Sequence, residues 1–307
     1  MSKALSLVVV VLTRNEEAHI ERLLQCLRRL SVRAFIVDSF STDNTVAIAR
    51  TLGADVVQHT FVNHAKQFQW ALDNVKTDCE WIMRLDADEL LEPELVEEIK
   101  TKLPTLSSGI VGVNLKRRHI FMGRWIRNGG RYPLVLLRIW RRGQGRIENR
   151  WMDEHIVVWG GTTVTFDNDF ADHSLADLSF FIDKHKKYAT REAIDRLNEE
   201  FGLFARDDAV FAGASSTQAR MKRFMKQRLY NRFPFGLGPF CYFLWRYIAQ
   251  LGFLDGREGL IYHFLQGFWY RFLVEAKVRE LRRAVWRLHD PAEIKGELAR
   301  LTGLAIE

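Results

Sequence analysis

The N-terminal third alternates between short apolar runs and segments with helical spacing, and this alternation constrains the fold more than any other feature. The first run, residues 5–12, reads LSLVVVVL, and similar runs stand at 34–38, 54–58 and 80–85. Continuous β-branched runs are typical of strands that are covered on both faces. Strands that alternate with helices indicate a parallel sheet with helices packed on it. We therefore expect an α/β fold with a mostly parallel sheet.

Helices are predicted after each of these strands. The first, from Glu17 to Leu30, has Asn15 or Thr13 as a candidate N-terminal cap. After residue 105 the pattern changes to strand-like pieces joined by Gly- and Arg-rich turns. The other predicted helices are 45–52, 64–75, 93–103 and 176–200, and the later strand-like pieces are 110–120, 134–140 and 156–166.

The net charge of +7 lies entirely in the C-terminal third. Residues 215–307 hold 16 Lys and Arg against 8 Asp and Glu, whereas the first 214 residues hold 29 against 30. A chain of 307 residues, 47% of them hydrophobic, can bury a large core. We expect a neutral α/β domain at 1–210, followed by a basic, aromatic-rich helical extension at 211–307 that meets an anionic partner.

Two features bear on the compartment. Cys26, Cys79 and Cys241 show no disulfide or metal-binding spacing, so a reducing compartment fits the chain. The apolar run after Lys3 is short and lacks a small-residue cleavage site, which favours a buried strand over a signal peptide.

Polar side chains cluster where three of the predicted strands end, at 13–16, 38–43 and 86–89. In open parallel sheets the ligand binds outside the carboxyl ends of the strands. Folding alone gives no reason for three polar clusters to meet at one edge, so this edge is the predicted ligand site.

The acidic sequence Asp86-Ala87-Asp88-Glu89 follows directly after the apolar strand EWIMRL. Two carboxylates separated by one residue can share a divalent cation. Mg²⁺ and Mn²⁺ favour such oxygen ligands. The same cation is often bound by the phosphates of a substrate as well. A metal here would neutralise a departing diphosphate. The alternative is a solvated acidic turn that caps the next helix.

A second polar stretch, from Val37 to Thr45, reads VDSFSTDNT and also follows an apolar strand. Its short side chains can form hydrogen bonds with a base edge and a ribose, and we favour this role for Asp38. Asp43 and Thr45 are good helix N-caps whatever the function, and we interpret them as structural.

Together, Thr13-Arg14-Asn15-Glu16, the Val37–Thr45 stretch and Leu85-Asp86-Ala87-Asp88-Glu89 resemble the motifs of family 2 glycosyltransferases of the GT-A fold. Among these, the chain is most similar to bacterial enzymes of lipopolysaccharide-core and surface-polysaccharide assembly. The motif order covers roughly residues 5–175. The resemblance implies a nucleotide-sugar donor, Mg²⁺ or Mn²⁺ as cofactor, and inversion at the anomeric carbon.

The resemblance also implies roles for individual residues. Asp38 would contact the base, Asp86 would approach the ribose and the metal, and Asp88 would bind the metal. Many relatives have a second Asp where this chain has Ser39, which leaves the base less defined, with UDP as the expected nucleotide. The nucleotide-sugar-binding residues implied in this way are Thr13, Asn15, Glu16, Asp38, Ser39, Lys66 and Asp86.

An inverting transfer needs a carboxylate that takes the proton of the acceptor hydroxyl. Glu154 is the predicted base, with Asp153 as its rival, since family members place an acidic residue here. Surface charges at a strand start are the alternative. The Q-x-x-R-W pattern of processive synthases is not matched, because Ile147 stands where Gln belongs, and this favours transfer of a single sugar.

Several other side chains are candidates for binding the metal or the diphosphate. His173 is predicted as a third metal ligand, although a lone histidine is more often structural. Lys66 lies where family members carry a basic residue and would steady the diphosphate. Arg131 and Arg138 are weaker candidates for that task, and a solvated surface position is the alternative for all three.

The C-terminal third interleaves aromatic rings with Lys and Arg. This mixture is typical of a membrane interface, where cations meet anionic lipid. Residues 235–254 have the length of a membrane span, but Pro239 and Arg246 favour a shallow or re-entrant element. A packed core or a dimer interface is the alternative, and the lack of an oligonucleotide-binding strand pattern argues against nucleic acid.

These observations predict a metal-dependent inverting glycosyltransferase that moves one sugar from a nucleotide diphosphate sugar. The expected acceptor is a lipid-linked saccharide or a lipopolysaccharide-type molecule at the cytoplasmic face of the bacterial inner membrane. A sugar-phosphate nucleotidyltransferase would carry a Gly-rich phosphate loop after the first strand, and residues 13–16 supply none. A non-catalytic membrane-bound scaffold of the same fold is the other alternative.

Overall fold

In this computed structural model, the described residues are 5–76, 78–148, 154–204, 234–304 and 306. Their internal contacts divide them into two compact units. Among the described residues, the first unit extends to Leu175 and the second begins at Ala176. The predicted domain boundary near residue 210 falls outside the described residues and stays a prediction.

The first unit is built from strands and helices that alternate along the chain, as predicted. Its helices are α1 (Glu17–Arg28), α2 (Thr45–Thr51), α3 (His64–Asn74) and α4 (Pro93–Lys102). Its strands are β1 (Leu7–Thr13), β2 (Arg33–Asp38), β3 (Asp55–Gln58), β4 (Trp81–Arg84), β5 (Glu89–Leu91), β6 (Ile110–Phe121), β7 (Arg124–Trp125), β8 (Leu134–Arg141), β9 (Gly145–Ile147), β10 (Ile156–Val158) and β11 (Thr162–His173).

The main sheet has the strand order β3-β2-β1-β4-β8-β6-β11-β5, with β7 paired to β6. The strands β1 to β4 run parallel, and so do β6 and β11. Between these two groups, β8 runs antiparallel to β4 and β6. The predicted α/β fold with a largely parallel sheet is confirmed, and it is consistent with the GT-A architecture.

The β-branched run of β1 is explained by burial on both faces of the sheet. On one face, Val9 and Val11 belong to a core that includes residues of α1 and α4. On the other face, Val8 and Val10 belong to a second core, which includes Phe68 of α3 and residues of β9 and β10. Each fully buried valine contributes about 1.5–3 kcal/mol relative to an exposed one, so this strand anchors both layers.

The single strand predicted at 156–166 is instead two strands, β10 and β11. Gly160 has a φ of +83°, which glycine adopts without strain. A Cβ on Gly161 would lie 2.4 Å from the carbonyl oxygen of Gly109. The two glycines therefore permit a turn and a close approach that the apolar pattern alone does not reveal.

The predicted cap of α1 is also wrong. Glu16 precedes the helix, and its side chain does not cap it. Asn15 has a φ of +56°, and its side chain accepts a hydrogen bond from a neighbouring loop rather than from α1.

The second unit is helical. Ala193, Ile194 and Leu197 of its first long helix share a core with residues of the last two helices. Its helices are α5 (Leu178–Phe201), α6 (Leu237–Leu244), α7 (Gly256–Tyr262), α8 (Tyr270–Val285) and α9 (Pro291–Thr302), with π-helical turns at Trp245–Ala249 and His263–Trp269 and a 3₁₀ turn at Gly252–Asp255. None of the helices in the described part of the chain is both long enough and apolar enough to cross a membrane.

Residues 237–269 of this unit form a helical hairpin whose interior is polar. Arg246, Asp255 and His263 are all buried in it. The guanidinium of Arg246 donates a 2.7 Å hydrogen bond to Gln266. The tip closes tightly because Gly252 has no side chain, since a Cβ there would lie 2.8 Å from the ring of His263.

Candidate active site

Thr13 and Asp38 meet at the carboxyl ends of β1 and β2. The register of the parallel pair places the two residues side by side, and the Thr13 hydroxyl donates a 2.9 Å hydrogen bond to the Asp38 carboxylate. Arg84, the last residue of β4, ends at the same edge, since Val10 of β1 pairs with it. The predicted convergence of the polar strand ends is therefore present.

The carboxylate of Asp38 is buried and fully engaged. It accepts hydrogen bonds from the Thr13 hydroxyl, from the backbone N–H and hydroxyl of Ser41, and from the Gln58 amide. Burial alone would raise the pKa of Asp38, but the bonds from Ser41, Gln58 and Thr13 outweigh it and lower the pKa below its usual range. Asp38 is thus held ionised by its own neighbours.

Two loops at this edge are fastened to each other. Asn15 donates its backbone N–H to Ser41 and accepts a 2.8 Å bond from the N–H of Thr42. The N–H of Glu16 donates a 2.7 Å bond to the Thr45 hydroxyl. The predicted pocket residues Thr13, Asn15, Glu16 and Asp38 are therefore brought together through one hydrogen-bonded assembly.

Ser39 and Asp43 are also placed by this assembly. The hydroxyl of Ser39 is buried and accepts a 3.2 Å hydrogen bond from Gln67 of α3. Asp43 accepts hydrogen bonds from the N–H groups of Thr45 and Glu17, which are the first residues of α2 and α1. Asp43 therefore has a structural role, but the N-cap position of α2 is held by Asn44 rather than by Asp43 or Thr45 as predicted.

The acidic turn after β4 presents two carboxylates. Asp86 and Asp88 are half-buried, whereas Leu85, Ala87 and Glu89 between and beside them are buried. The turn is closed by the N–H of Asp86, which donates a 2.9 Å bond to the Glu89 side chain. This alternation leaves only the two aspartates of the motif accessible to a ligand.

Beneath the turn, Glu89 forms a buried ion pair with Arg138 of β8. Burial raises the pKa of the Glu89 carboxyl, and the charge of Arg138 opposes that rise. Arg138 was a weak candidate for binding a diphosphate. Because its guanidinium is buried against Glu89, it supports the acidic turn instead.

His173, the predicted third metal ligand, lies beside the acidic turn. Its backbone N–H donates a 2.9 Å bond to the Asp88 carbonyl oxygen, and its own carbonyl accepts from Arg22 of α1. Burial and the charge of Arg22 lower the pKa of the His173 imidazole, so its neutral form, which binds metals, prevails at neutral pH. Sequence reasoning missed Arg22, whose charge interacts with that of Asp88.

The donor set fits a divalent cation that is completed by a ligand's phosphates. Across the described residues, no group of three or more His, Cys, Asp or Glu side chains is arranged to hold a metal ion, so Asp86, Asp88 and His173 do not form a three-residue site by themselves. Mg²⁺ commonly binds through one or two carboxylates, substrate phosphates and water, so the pair Asp86 and Asp88 suffices for it. The ligand role of His173 stays a prediction.

A second polar cluster lies where β6 and β11 end. His119 and Asp172 are paired in the register of these parallel strands, and the imidazole Nδ1 lies 3.0 Å from the carboxylate. Arg117 lies 3.3 Å from the same carboxylate. Burial lowers the pKa of His119 despite the charge of Asp172. Sequence reasoning missed this cluster, because its members are about fifty residues apart in the chain.

The predicted base, Glu154, and the predicted diphosphate-binding residue, Lys66, do not lie at the strand ends that carry Thr13 and Asp38. Glu154 is half-buried and stands two residues before β10, while Asp153 lies outside the described residues. A buried glutamate that sequence reasoning missed, Glu148, accepts a hydrogen bond from the His155 N–H. Lys66 is exposed in the first turn of α3, where its N–H donates a 2.7 Å bond to the Asn63 side chain.

Comparisons with known proteins identify curated relatives over part of the chain. An uncharacterized glycosyltransferase of Rickettsia bellii is 41% identical over 90 residues, which are 29% of this chain and 30% of that protein. Another from Rickettsia typhi is 38% identical over 90 residues, with the same coverage. The chain thus matches less than a third of the length of these relatives.

Solved structures give weaker likenesses. S. aureus TarS aligns over 97% of this chain and 92% of its own, with 16% identity and a TM-score of 0.44. Glucosyl-3-phosphoglycerate synthase from Mycobacterium tuberculosis aligns over 37% of this chain and 44% of its own, with 27% identity and a TM-score of 0.31.

The family comparison covers more of the chain. The family model described as "Glycosyl transferase family 2" matches residues 8–174, which is more than half of the sequence and includes every described motif of the carboxyl edge. The chain belongs to glycosyl transferase family 2.

Proposed function

We propose that this protein is an inverting glycosyltransferase that moves one sugar from a nucleotide diphosphate sugar, with UDP as the expected nucleotide, onto an acceptor hydroxyl. The observation that carries the proposal is the convergence of Thr13, Asp38, Asp86 and Asp88 at one edge of the sheet in a chain of this family. The name glycosyltransferase on its curated relatives supports it.

In this proposal, different residues of the chain bind different parts of the donor. The assembly of Thr13, Asn15, Glu16, Asp38 and Ser39 holds the nucleoside. Asp86 lies next to the ribose, and Lys66 steadies the diphosphate. A donor fixed in this way exposes its anomeric carbon to attack from the side opposite the leaving diphosphate. Attack from that side inverts the configuration at this carbon.

Asp88 and Asp86 would hold Mg²⁺ or Mn²⁺, with His173 as a further ligand. When bound, the cation supplies positive charge that stabilises the leaving diphosphate. Arg22 and Arg84 are fixed cations close to the same carboxylates, and Arg84 Nε lies 3.8 Å from Asp86. These arginines balance the acidic turn, so that two neighbouring carboxylates are tolerated at one strand end.

The reaction also needs a base on the acceptor side. The carboxylate of Glu154 takes the proton of the acceptor hydroxyl, whose oxygen forms the new bond to the anomeric carbon. The bond from that carbon to the diphosphate oxygen breaks, and the nucleotide diphosphate departs with the electron pair. Asp153 is the rival for this role.

The same proposal places the protein on an anionic membrane surface, at the cytoplasmic face of the bacterial inner membrane, with a lipid-linked saccharide or lipopolysaccharide-type acceptor. Residues 234–254 contain a single charged side chain, Arg246, and it is only 2% exposed. In this stretch the charged side chain is buried and apolar side chains are exposed, which is the reverse of the usual distribution in water. The exposed apolar side chains of this stretch are Phe235, Leu237, Phe240, Trp245, Ile248, Leu251, Phe253 and Leu254.

The decisive experiment measures release of nucleotide diphosphate from UDP-, GDP- and dTDP-sugars, with Mn²⁺, with Mg²⁺ or with a chelator, and with or without a bacterial lipid extract. We expect metal-dependent release from one donor, increased by the extract that supplies an acceptor. If no donor is turned over and none of the three nucleotide diphosphates binds, the proposed function is wrong.

A further inference from the structure

Phe40 combines two features that are each unusual for a phenylalanine. Its φ of +57° lies in the left-handed region, where a bulky L side chain is strained. Its exposed fraction is 54%, so burial of the ring does not offset that strain. Glycine would occupy the same backbone conformation at no steric cost. Folding therefore gives little reason for a large ring at this position.

The residues on both sides of Phe40 are fixed. The N–H of Ser39 donates a 2.9 Å bond to the Thr13 carbonyl, and the N–H of Ser41 donates a 2.9 Å bond to Asp38. The Ser41 hydroxyl also accepts a bond from the N–H of Asn15. Because the backbone is held on either side, the ring is presented from a rigid support at the carboxyl edge of the sheet.

The hydrogen bonds that Asp38 already accepts bear on how a nucleobase could bind at this edge. A carboxylate offers about four acceptor positions, and Thr13, Ser41 and Gln58 together supply four hydrogen bonds to it. A base N–H can reach Asp38 only by displacing one of these donors. An exposed aromatic ring can contact the flat face of a base without displacing any of these donors.

We propose that the ring of Phe40 is the surface on which the nucleobase of the donor stacks, an inference that rests on the proposed function. Asp38 is then a positioning residue, which holds the loop that presents the ring. Stacking tolerates every base because each has a π face. Phe40 accordingly adds affinity for the nucleoside, without selecting among bases.

The test uses calorimetric titration with UDP, GDP and dTDP in the presence of Mn²⁺, and with pyrophosphate as a probe that lacks a base. Phe40→Leu keeps the strained backbone and an apolar side chain but removes the ring, whereas Phe40→Tyr keeps the ring. We expect Phe40→Leu to weaken nucleotide binding at least about five-fold, by loss of stacking. Phe40→Tyr binds like the wild type, and pyrophosphate binding is unchanged in both.

Two outcomes separate this inference from the proposed function. If the wild type binds a nucleotide diphosphate and Phe40→Leu binds it equally well, stacking on Phe40 is wrong and the donor proposal stands. If the wild type binds none of the three, the donor proposal fails and the inference fails with it. Trp159→Ala, which removes an exposed ring just before the amino end of β11, is the matched control and leaves nucleotide binding unchanged.

Thermal unfolding gives an independent reading. Phe40→Gly relieves the backbone strain, and we expect the melting temperature to stay level or rise by a few degrees while nucleotide affinity falls as in Phe40→Leu. A lower melting temperature together with unchanged nucleotide affinity would assign Phe40 to folding and overturn the inference.

Discussion

The hydroxyl of Thr13 donates a 2.9 Å hydrogen bond to the buried carboxylate of Asp38, and this bond ties the ends of two neighbouring parallel strands. It is one of four bonds that hold the pKa of Asp38 below its usual range despite its burial. The pair therefore connects the stability of the fold with the shape of the candidate donor pocket.

Replacing Asp38 by Asn should lower the free energy of unfolding by about 2 kcal/mol at pH 7, because bonds to a charged acceptor become bonds to a neutral one. The folded-state pKa lies below the unfolded value of about 3.9, so the ionised carboxylate stabilises the fold above that pH and ceases to do so as the pH falls through the folded pKa. Urea unfolding between pH 7 and pH 3 should show the difference between wild type and Asp38→Asn narrowing below about pH 4. A difference that stays constant over this range would contradict the assignment.

The buried pair of Glu89 and Arg138 should behave as a unit. Arg138→Met leaves a buried carboxylate without its counter-charge and should cost about 3–5 kcal/mol. The double variant Glu89→Gln with Arg138→Met should recover most of that loss, since it removes both charges. Urea unfolding of the two single variants and the double variant measures this coupling, and purely additive losses would disprove it.

Asp88→Asn should lower the rate of nucleotide diphosphate release by about a hundred-fold or more, because the leaving diphosphate loses its stabilising charge. It should also abolish the rise in melting temperature that Mn²⁺ and a nucleotide diphosphate give together. Asp167→Asn, at an exposed position on β11, is the matched control and should leave both measurements unchanged. Full activity of Asp88→Asn would remove this residue from the site.

Glu154→Gln should reduce kcat by about 10²–10⁴-fold, because the acceptor hydroxyl loses its base, while nucleotide affinity stays unchanged. Asp153→Asn is the paired variant, and its activity should stay close to that of the wild type. Rates measured with saturating donor and acceptor distinguish the two carboxylates. The reverse pattern would transfer the role to Asp153.

The apolar outer face of the helical hairpin can be tested with vesicles. Trp245 and Ile248 are each 58% exposed, and replacing both with Glu should abolish cosedimentation with phosphatidylglycerol-containing vesicles. Leu301→Glu alters an exposed leucine on α9 and should leave vesicle binding intact. If the wild type fails to bind vesicles and instead self-associates through Trp245 and Ile248, the face is a contact between copies of the chain.

The sequence predicted the local elements well because periodicity is a local property. The apolar runs predicted that Thr13, Asp38 and Asp86 lie at or just after the carboxyl ends of parallel strands, and the structure has them there. Glu89 with Arg138 and His119 with Asp172 were not predicted as pairs, since each depends on strand register across about fifty residues. No short-range pattern carries that information.

Errors at short range have a similar physical origin. Asn15 was expected to cap α1, but its amide instead bonds to Thr42, which is 27 residues further along the chain. A short polar side chain binds whichever backbone group tertiary structure brings to it. The strain at Phe40 was equally hidden, because only the observed φ reveals it.

The central place of β1 has a consequence for synthesis on the ribosome. Its first partner, β2, follows closely in the chain, but its second partner, β4, ends only at Arg84. A nascent chain therefore carries an apolar strand with one open edge until β4 has left the exit tunnel. Such edges attract other strands, so chaperone binding would be most useful during this interval, before translation has delivered the acidic turn that follows β4.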